Sequence, residues 1–241
     1  MTSVLLVIPV YNEEEVLENN VIKILKQFKN KWEKFEIIIA NNASTDRTLE
    51  IAKRLSKSFE NVRYIHLDKK GRGLALKKAW SESNSDIIAY MDVDLSTDLK
   101  HFPELIDGIV KKNYDLCIGS RLLKESYVIN RSLIREIFSR LYNVLIRILF
   151  HTSFHDAQCG FKAISRNTVK NILPLVKDNG WFFDTELLII TEKLGYKIKE
   201  IPVKWTDDPT STVKVLKTGW SDINGLIRLR ITMPWKFKYK K

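Results

Sequence analysis

The chain has 241 residues, of which 44% are hydrophobic and 29% charged; this length suits one α/β domain and leaves room for only a small second one. Its formal net charge of +11 favours an anionic partner, whether nucleic acid, a phosphorylated substrate or an anionic lipid surface. Cys117 and Cys159 form no CxxC pair, and we expect a reducing, cytoplasmic setting. No apolar run approaches the roughly 20 residues of a bilayer span, so we expect any membrane contact to be peripheral.

Short apolar runs alternate with amphipathic stretches through the first half of the chain. Strands are predicted at Val4–Ile8, Phe35–Ala40, Val62–Leu67, Ile87–Met91 and Asp115–Ile118. Helices are predicted between them, at Glu14–Phe28, Asp46–Phe59, Leu74–Glu82 and Leu99–Lys112. This order predicts an α/β fold with a mainly parallel sheet covered by helices. Ligands of such sheets bind beyond the carboxyl ends of the strands.

The second half is less regular and begins with a long predicted helix, Ser132–Phe150. Seven of its apolar side chains share one face of a helical wheel: Ile134, Ile137, Phe138, Leu141, Leu145, Ile148 and Leu149. A strand at Gly160–Ile164, a helix near Phe183–Leu194 and an extended segment at Lys197–Thr206 are predicted to follow. The chain then ends in a predicted short helix and the segment PWKFKYKK.

The most informative segment is the fourth predicted strand, which runs directly into Asp92 and Asp94. Two carboxylates that leave a buried strand can hold a hard divalent cation, Mg²⁺ or Mn²⁺, through oxygen ligands. Such an ion would bridge to a diphosphate and neutralise charge on a leaving nucleoside diphosphate. An isolated pair of this kind is more often an ordinary turn, so its interpretation depends on the other strand ends.

The other predicted strands also end in polar motifs. They are Pro9–Glu13 (PVYNE), Asn41–Asp46 (NNASTD), Gly71–Gly73 (GRG) and Gly119–Arg121 (GSR). In this order the motifs closely resemble those of the inverting glycosyltransferases of family 2, which have the GT-A fold, and most of all the polyprenyl-phosphate (dolichyl-phosphate) glucosyl- and mannosyltransferases. Two later segments, Asp156–Lys162 and Gly180–Glu186, resemble family motifs on the acceptor side, and the resemblance extends from Val4 to Leu229.

The resemblance implies roles for particular residues and a GT-A-like single domain. Residues 1–122 would form its nucleotide-sugar half, residues 123–230 its acceptor half and residues 231–241 a basic, aromatic tail. The nucleotide pocket would be lined by Pro9, Tyr11, Glu13, Asn42 and Asp92. Asp92 and Asp94 would hold the metal ion. Asp156, Gln158 and Lys162 would face the acceptor.

Two departures from the family pattern concern the donor. Asn41 and Asn42 stand where the family usually has acidic residues, and residues 206–214 lack the arginine and the Ser-Lys pair of the mannose enzymes. An asparagine can pair with uracil, whose N–H lies between two carbonyl groups, whereas guanine presents two adjacent donors that suit a carboxylate. We therefore expect UDP-glucose to be the leading donor and GDP-mannose the next.

The acceptor remains open between two chemistries. A phosphate monoester is already anionic near neutral pH, so it needs a cationic site rather than a base; Arg121, Arg135 and Lys162 are candidates. A sugar hydroxyl, as in glycan or lipid-linked oligosaccharide synthesis, would need a carboxylate base. Asp156, Asp184 and Glu186 are available for that role, although acidic residues such as Asp184 and Glu186 are also common at the start of a helix.

Two further interpretations concern partners. A basic nucleic-acid-binding or membrane-binding protein without catalytic activity would also explain the charge, but no nucleic-acid docking motif is present, and we expect no nucleic-acid partner. The tail alternates Trp235, Phe237 and Tyr239 with lysines, a pattern that suits an anionic membrane surface. We expect the tail to contact the cytoplasmic face of a membrane, with the Ser132–Phe150 helix as the next candidate.

Overall fold

A seven-stranded sheet organises the protein in the computed structural model, which describes residues 2–207 and 215–238. The strands in these ranges are β1 Ser3–Val10, β2 Lys34–Asn42, β3 Val62–Leu67, β4 Ile87–Met91, β5 Leu116–Ser120, β6 Tyr127–Ile129, β7 Phe161–Ser165, β8 Ile198–Pro202 and β9 Lys204–Thr206. The sheet has the order β3-β2-β1-β4-β7-β5-β8, and β6 pairs with β9 in a small parallel sheet of its own. The main sheet includes strands from both halves of the chain.

Helices cover both faces of the sheet. They are α1 Leu17–Phe28, α2 Thr48–Ser58, α3 Arg72–Ser81, α4 Phe102–Val110, α5 Leu133–Phe150, α6 Arg166–Ile172, α7 Phe183–Lys193, α8 Val215–Thr232 and α9 Trp235–Lys238. Two apolar clusters, one on each side of the sheet, form the core. None of the helices in the described ranges is both long and apolar enough to cross a bilayer.

The predicted strands and helices of the first half are confirmed to within a few residues. In β1, five consecutive side chains from Val4 to Ile8 are fully buried, as expected for a parallel strand that is covered on both faces. In α1, the buried side chains recur at helical spacing, from Leu17 through Val21 and Ile24 to Phe28. These patterns place the ends of β1, β2 and β4 side by side at one edge of the sheet.

The position of β7 was not predicted. This strand lies between β4 and β5 and runs antiparallel to both, and the remaining strand pairs of the main sheet are parallel. Its sequence, FKAIS, is short and apolar like that of its neighbours, so nothing local reveals its direction or its partners. The insertion brings Gly160 against Asp92, whose N–H donates to the Gly160 carbonyl (3.1 Å).

One prediction about the second half is wrong, and the structure narrows another that had left two positions open. The final helix was expected to be short, but α8 has 18 residues. The wheel of α5 predicted a shared apolar face that lies in the core or in lipid, and the structure excludes the core: Ile134, Ile137, Phe138, Leu141, Leu145 and Ile148 are exposed, and only Leu149 of that face is partly buried. The face of α5 that packs inward carries Ser139, Asn143, Ile146 and Phe150.

Helix α8 packs closely on the start of α7 through Gly225. A Cβ atom at this position would overlap the ring of Phe182, which is fully buried. A Cβ at Gly219, in the same helix, would meet no atom within 4 Å. Replacing each glycine by alanine therefore distinguishes the effect of close packing from the effect of helix propensity.

We expect Gly225→Ala to lower the free energy of unfolding by about 1–3 kcal/mol, because an overpacked site forces its neighbours to shift. Gly219→Ala should be neutral or stabilising by up to about 1 kcal/mol, since alanine favours a helix. Thermal unfolding measures both, at about 2–4 °C per kcal/mol for a chain of this size. Equal melting temperatures for the two variants would contradict the described packing of α8.

Candidate active site

The loops after β1 and β2 hold each other at the carboxyl edge of the sheet. Asn12 accepts from the Thr45 N–H through Oδ1 (2.8 Å) and donates its own N–H to Ser44 (3.0 Å). The Glu13 N–H donates to Thr48 Oγ1 (2.7 Å). These bonds place Tyr11 and Glu13, both partly buried, beside the end of β1 that carries Pro9.

The two asparagines at the end of β2 are buried and engaged. The amide NH₂ of Asn41 lies 2.7 Å from His66 Nδ1. The amide oxygen of Asn42 accepts from the Gly71 N–H (2.5 Å), directly before the first residue of α3. Asn42 therefore fixes the start of α3 and with it the position of Arg72.

Arg72 joins two carboxylates that are far apart in the sequence. Its Nη2 donates to Asp92 Oδ1 (2.5 Å) and its Nη1 to Asp184 Oδ2 (2.6 Å), and the arginine side chain is only 9% exposed. Burial opposes the charge of the guanidinium, but the two carboxylates outweigh it and raise the pKa of Arg72. The first Asp of the acidic pair is thereby held at a fixed orientation while its side chain stays 46% exposed.

Behind Asp92 lies a closed polar cluster. Lys162 donates to Asp184 Oδ1 (2.9 Å), to the Tyr90 hydroxyl (3.0 Å) and to the Cys159 carbonyl (2.5 Å), and the Tyr90 hydroxyl also bonds Asp184. Burial lowers the pKa of Lys162 to about 7 and raises that of Asp184 to about 6, although Arg72 favours the ionised carboxylate. Neither Lys162 nor Asp184 reaches solvent, so the cluster supports the site from below.

Asp94 lies in the open part of the site. Its Oδ1 accepts from the Ser96 N–H (2.9 Å), and the side chain is exposed. The loop that follows is joined to β9, because Thr97 bridges to Trp205 and the Thr206 N–H donates to the Ser96 carbonyl (2.9 Å). The acidic pair and the indole of Trp205 thus line one cleft.

The second wall of the site contains three arginines, Arg121, Arg131 and Arg135, which we call the arginine cluster. The guanidinium carbons of Arg121 and Arg131 lie 5.4 and 5.8 Å from the centre of the Trp205 ring. Arg135 donates to both oxygens of Asp207 (3.0 and 3.1 Å), two residues beyond Trp205. Burial and the charge of Arg121 lower the pKa of Arg131, so an anion at this cluster would relieve a repulsion between like charges.

Arg121 and Asp156 form a buried bidentate pair. Arg121 Nε and Nη2 each donate to a separate Asp156 oxygen at 2.8 Å, and the carboxylate is completely buried. Burial alone would raise the pKa of Asp156, but Arg121 and its hydrogen bonds lower it to about 2. Asp156 therefore faces Arg121 rather than open space.

The remaining predicted residues connect the site to α8. Gln158 Nε2 donates to Asp222 Oδ2 (2.9 Å). Glu186, fully buried in α7, accepts from Arg228 Nη1 (2.8 Å) and from the N–H groups of Lys177 and Asp178 (3.0 and 2.7 Å). Glu186 is thereby committed to holding the loop before α7.

The acidic pair has the chemistry that a divalent ion requires. Mg²⁺ in proteins is held by one or two carboxylates, with water and substrate phosphates as the other ligands. Asp92 and Asp94 supply two such oxygen donors at an open cleft. No group of three or more His, Cys, Asp or Glu residues in the described part of the chain could hold an ion by itself, so the remaining ligands would come from a bound diphosphate and water.

Comparison with known proteins identifies the family. The model of the family described as "Glycosyl transferase family 2" matches residues 5–173. The chain belongs to glycosyl transferase family 2. The predicted family is thus confirmed, and with it glycosyl transfer as the class of activity.

Curated relatives of this family 2 glycosyltransferase extend the match beyond residue 173. The chain is 38% identical over 213 residues to the glycosyltransferase AglD of Haloferax volcanii. The match covers 87% of this chain and 34% of AglD, so this chain spans about a third of that protein. It is 30% identical over 220 residues to the dolichyl-phosphate beta-glucosyltransferase ALG5A of Trichomonas vaginalis, covering 87% of this chain and 68% of that protein. The dolichyl-phosphate beta-glucosyltransferase of Saccharomyces cerevisiae is 30% identical over 221 residues, covering 83% and 65%.

Solved structures confirm the predicted GT-A fold. Glucosyl-3-phosphoglycerate synthase of Mycobacterium tuberculosis in complex with UDP superposes with a TM-score of 0.69 at 18% identity, over 98% of this chain and 80% of that one. The same synthase with Mn²⁺ and UDP-glucose gives 0.68 at 16% identity, over 95% and 79%. At this level of identity the likeness establishes the fold alone.

Within this family 2 glycosyltransferase, sequence reasoning missed Arg72, Arg131 and Trp205. Arg72 stood in a noted motif, GRG, but only the folded chain brings it between Asp92 and Asp184. Arg131 and Trp205 lie in segments without a strong periodic pattern. A basic residue next to the predicted start of a long helix was the one available signal for Arg131.

The pair Arg121–Asp156 generates a prediction about pH. The pKa of Asp156 is about 2 in the folded protein against an ordinary 3.8, so its ionised form stabilises the fold above about pH 4, and this contribution is lost as the pH falls towards 2. At neutral pH, Asp156→Asn should cost about 3–5 kcal/mol, because it leaves Arg121 buried without a counter-charge. The deficit should shrink by up to about 2 kcal/mol on acidification.

Urea unfolding of wild type and variant between neutral pH and the acid limit of folding measures this difference. Asp107→Asn is the matched control, since the ion pair of Asp107 with Lys111 is at the surface and should contribute less than about 1 kcal/mol. A deficit for Asp156→Asn that does not change below pH 5 would contradict the assigned pKa.

Proposed function

We propose that this chain transfers a hexose from a nucleotide-diphosphate sugar, UDP-glucose first and GDP-mannose next, to a polyprenyl (dolichyl) phosphate at a membrane surface, with inversion at the anomeric carbon. A Mg²⁺ or Mn²⁺ ion would be held by Asp92 and Asp94. The observation that carries the proposal is the arginine cluster, which shares Trp205 with the cleft of the acidic pair.

The arginine cluster suits an anionic acceptor. Arg121 and Arg131 lie over the Trp205 ring, and Arg135 anchors the end of the same strand through Asp207. Guanidinium groups bind phosphate oxygens through paired N–H donors. Guanidinium donors opposite two carboxylates would let a phosphate acceptor approach a donor that is itself negatively charged.

The three acidic residues that could serve as a base are enclosed. Asp156 is buried and bonded to Arg121. Asp184 is bonded to Arg72, Lys162 and Tyr90, and Glu186 to Arg228 and two backbone N–H groups. A hydroxyl acceptor needs a base within hydrogen-bond reach, whereas a phosphate does not. The burial of these three carboxylates therefore favours the phosphate acceptor over the hydroxyl acceptor.

In the proposed reaction, an oxygen of the lipid phosphate attacks the anomeric carbon of the donor sugar. The bond from that carbon to the diphosphate oxygen breaks, and its electron pair leaves with the nucleoside diphosphate. The divalent ion at Asp92 and Asp94 would neutralise charge on this leaving group. Arg72 holds Asp92 in position, and the arginine cluster binds and orients the attacking phosphate.

Different observations support the proposed donor and the proposed acceptor. Relatives of the chain are named dolichyl-phosphate beta-glucosyltransferases, and the synthase of the same fold has been solved with UDP and with Mn²⁺ or Mg²⁺. Cys117 and Cys159 are buried free thiols, which supports a reducing, cytoplasmic location. We place the reaction at the cytoplasmic face of a membrane.

The direct test is an assay with radiolabelled nucleotide sugars and a short polyprenyl phosphate, beside the matching polyprenol. We expect glucose transfer from UDP-glucose to the phosphate and none to the alcohol. Transfer to the alcohol, or to a sugar hydroxyl in preference to the phosphate, would overturn the proposed acceptor.

Asp94→Asn should abolish most of the activity. The substitution keeps the shape and removes one of two carboxylate charges from the predicted ion site, so turnover should fall by two orders of magnitude or more, which is about 2.7 kcal/mol of barrier. Thermal stability without ligands should change little, because Asp94 is exposed. Asp68→Asn, at a side chain that is 98% exposed, is the control and should keep full activity. Near-full wild-type activity in EDTA would contradict the metal.

UDP should bind better than GDP. The Gly71 N–H occupies the amide oxygen of Asn42, so Asn42 presents chiefly its NH₂ group to the nucleobase. This group can donate to a carbonyl of uracil, but it would face the N–H donors of guanine. An unpaired buried donor costs about 1–3 kcal/mol, or roughly ten- to hundredfold in affinity. Titration of UDP and GDP with Mn²⁺ measures the ratio, and Asn42→Asp should shift it towards GDP. Tighter binding of GDP by the wild type would move the donor to GDP-mannose.

A further inference from the structure

Helix α5 presents its apolar face outwards. Phe138, Leu141 and Ile148 are 51%, 60% and 65% exposed, whereas the opposite face, which includes Ser139 and Asn143, is buried. Amphipathic helices of soluble proteins ordinarily bury the apolar stripe. The outward orientation therefore leaves a long apolar surface without a partner in the described part of the chain.

Helix α8 repeats this arrangement. Trp220, Ile227 and Ile231 lie on one face of the helix at 68%, 53% and 77% exposure, and Leu226 and Leu229 are buried on the other. The helices α5 and α8 contact each other, and both cover the same apolar cluster with their inner faces. Their outer faces, which we call the α5/α8 face (the exposed apolar side chains within 133–148 and 220–231), consequently lie on the same side of the molecule.

The apolar exposure is concentrated on this one surface. Of the sixteen exposed large hydrophobic residues in the described ranges, twelve belong to the α5/α8 face. Isolated exposed apolar residues need no explanation, but a contiguous set on two adjacent helices marks an interaction site. The question is which partner it fits.

The net positive charge of helices α5, α8 and α9 favours an anionic partner. Helices α5, α8 and α9 comprise 40 residues with eight Arg or Lys and two acidic residues, a net +6 out of the chain's +11. Both acidic residues are engaged: Glu136 pairs with Arg131 and Arg140, and Asp222 is buried and bonded to Gln158. Although Arg135, Arg140 and Arg228 also have carboxylate partners, the helices keep an excess of basic residues beside their apolar side chains. This is the composition of a helix that lies in a membrane interface.

We propose that the α5/α8 face is the surface through which this protein docks on an anionic phospholipid bilayer, with the apolar side chains among the acyl chains and the basic residues at the headgroups. This rests on the proposed function, because a polyprenyl phosphate resides in a bilayer. Docking there would bring the membrane next to the acceptor side of the site: Arg135 on α5 belongs to the arginine cluster, and Asp222 on α8 bonds the predicted acceptor residue Gln158.

A second copy of the chain is a poorer fit for the same face. An isologous contact would place the basic residues of one face against those of its copy, and the acidic residues in the described part of either helix already have partners: Glu136 pairs with Arg131 and Arg140, and Asp222 bonds Gln158. The tail is also a lesser candidate than expected. Trp235 packs edge-on against Phe150 at 6.2 Å, and Tyr239, Lys240 and Lys241 lie outside the described residues.

The experiment is cosedimentation of the full chain with vesicles of phosphatidylcholine alone or mixed with phosphatidylglycerol. We compare wild type with Leu141→Gln/Ile148→Gln and with Ile227→Gln/Ile231→Gln. Tyr64→Gln/Val110→Gln is the matched control, since these two apolar side chains are exposed elsewhere, at 38% and 45%. Circular dichroism and thermal unfolding establish that each variant folds.

Wild type and control should bind the mixed vesicles, less strongly as salt rises. Each α5/α8 variant should bind at least about tenfold more weakly, because two apolar groups no longer enter the bilayer. Equal binding by all four proteins, or no binding by wild type, would overturn the proposal. A wild type that is dimeric, with α5/α8 variants that are monomeric but bind vesicles as the wild type does, would also overturn it.

Transfer of glucose to a short, water-soluble polyprenyl phosphate, assayed without vesicles, separates this proposal from the proposed function. The α5/α8 variants should transfer at the wild-type rate. Vesicle binding that depends on the α5/α8 face, without any glucose transfer by wild type, would retain the docking surface and remove the proposed acceptor chemistry.

Discussion

The double ion pair of Arg72 is the interaction on which the site depends. One guanidinium, almost removed from solvent, holds Asp92 at the end of β4 and Asp184 at the start of α7. A buried charge requires compensation, and here the compensation comes from residues 20 and 112 positions away. The carboxylate of Asp92, which we propose faces the donor, is therefore fixed by the same bonds that join α3, β4 and α7, and stability and geometry cannot be varied independently there.

Acidic and basic side chains lie on opposite walls of one cleft. The acidic pair lies on the wall formed by β4, and the arginine cluster lies on the wall that the small sheet of β6 and β9 supports, with Trp205 between them. Each of the three arginines has a carboxylate partner, Asp156 for Arg121, Glu136 for Arg131 and Asp207 for Arg135, and these carboxylates allow the guanidinium groups to lie close together. A site of this kind can hold a divalent ion and a phosphate close together, which a uniformly acidic or uniformly basic cleft could not do.

The outward apolar faces of α5 and α8 conflict with the rule that organises the rest of the molecule. Elsewhere burial follows hydrophobicity, as in β1 and α1, where the apolar side chains form the core. In α5 the small and polar side chains Ser139 and Asn143 pack inwards instead. Asn143 is used there: its amide oxygen accepts from the buried Ala157 N–H at 2.9 Å, in the loop that carries Asp156 and Gln158. The same helix therefore supports the acceptor loop with one face and leaves the other for a partner.

The sequence by itself determined the strands and helices of the first half, the positions of Asp92 and Asp94 at a strand end and the family, because periodicity and strand-end motifs are local properties of the chain. Only the tertiary structure decided that β7 enters the sheet in the opposite direction, that Arg72 lies between Asp92 and Asp184, and that α5 turns its apolar face to solvent. Each of these depends on contacts between residues far apart in the chain. A helical wheel defines which side chains share a face, but the free energy of the whole packed molecule, including the burial of Asn143 and its hydrogen bond, selects the face that is buried.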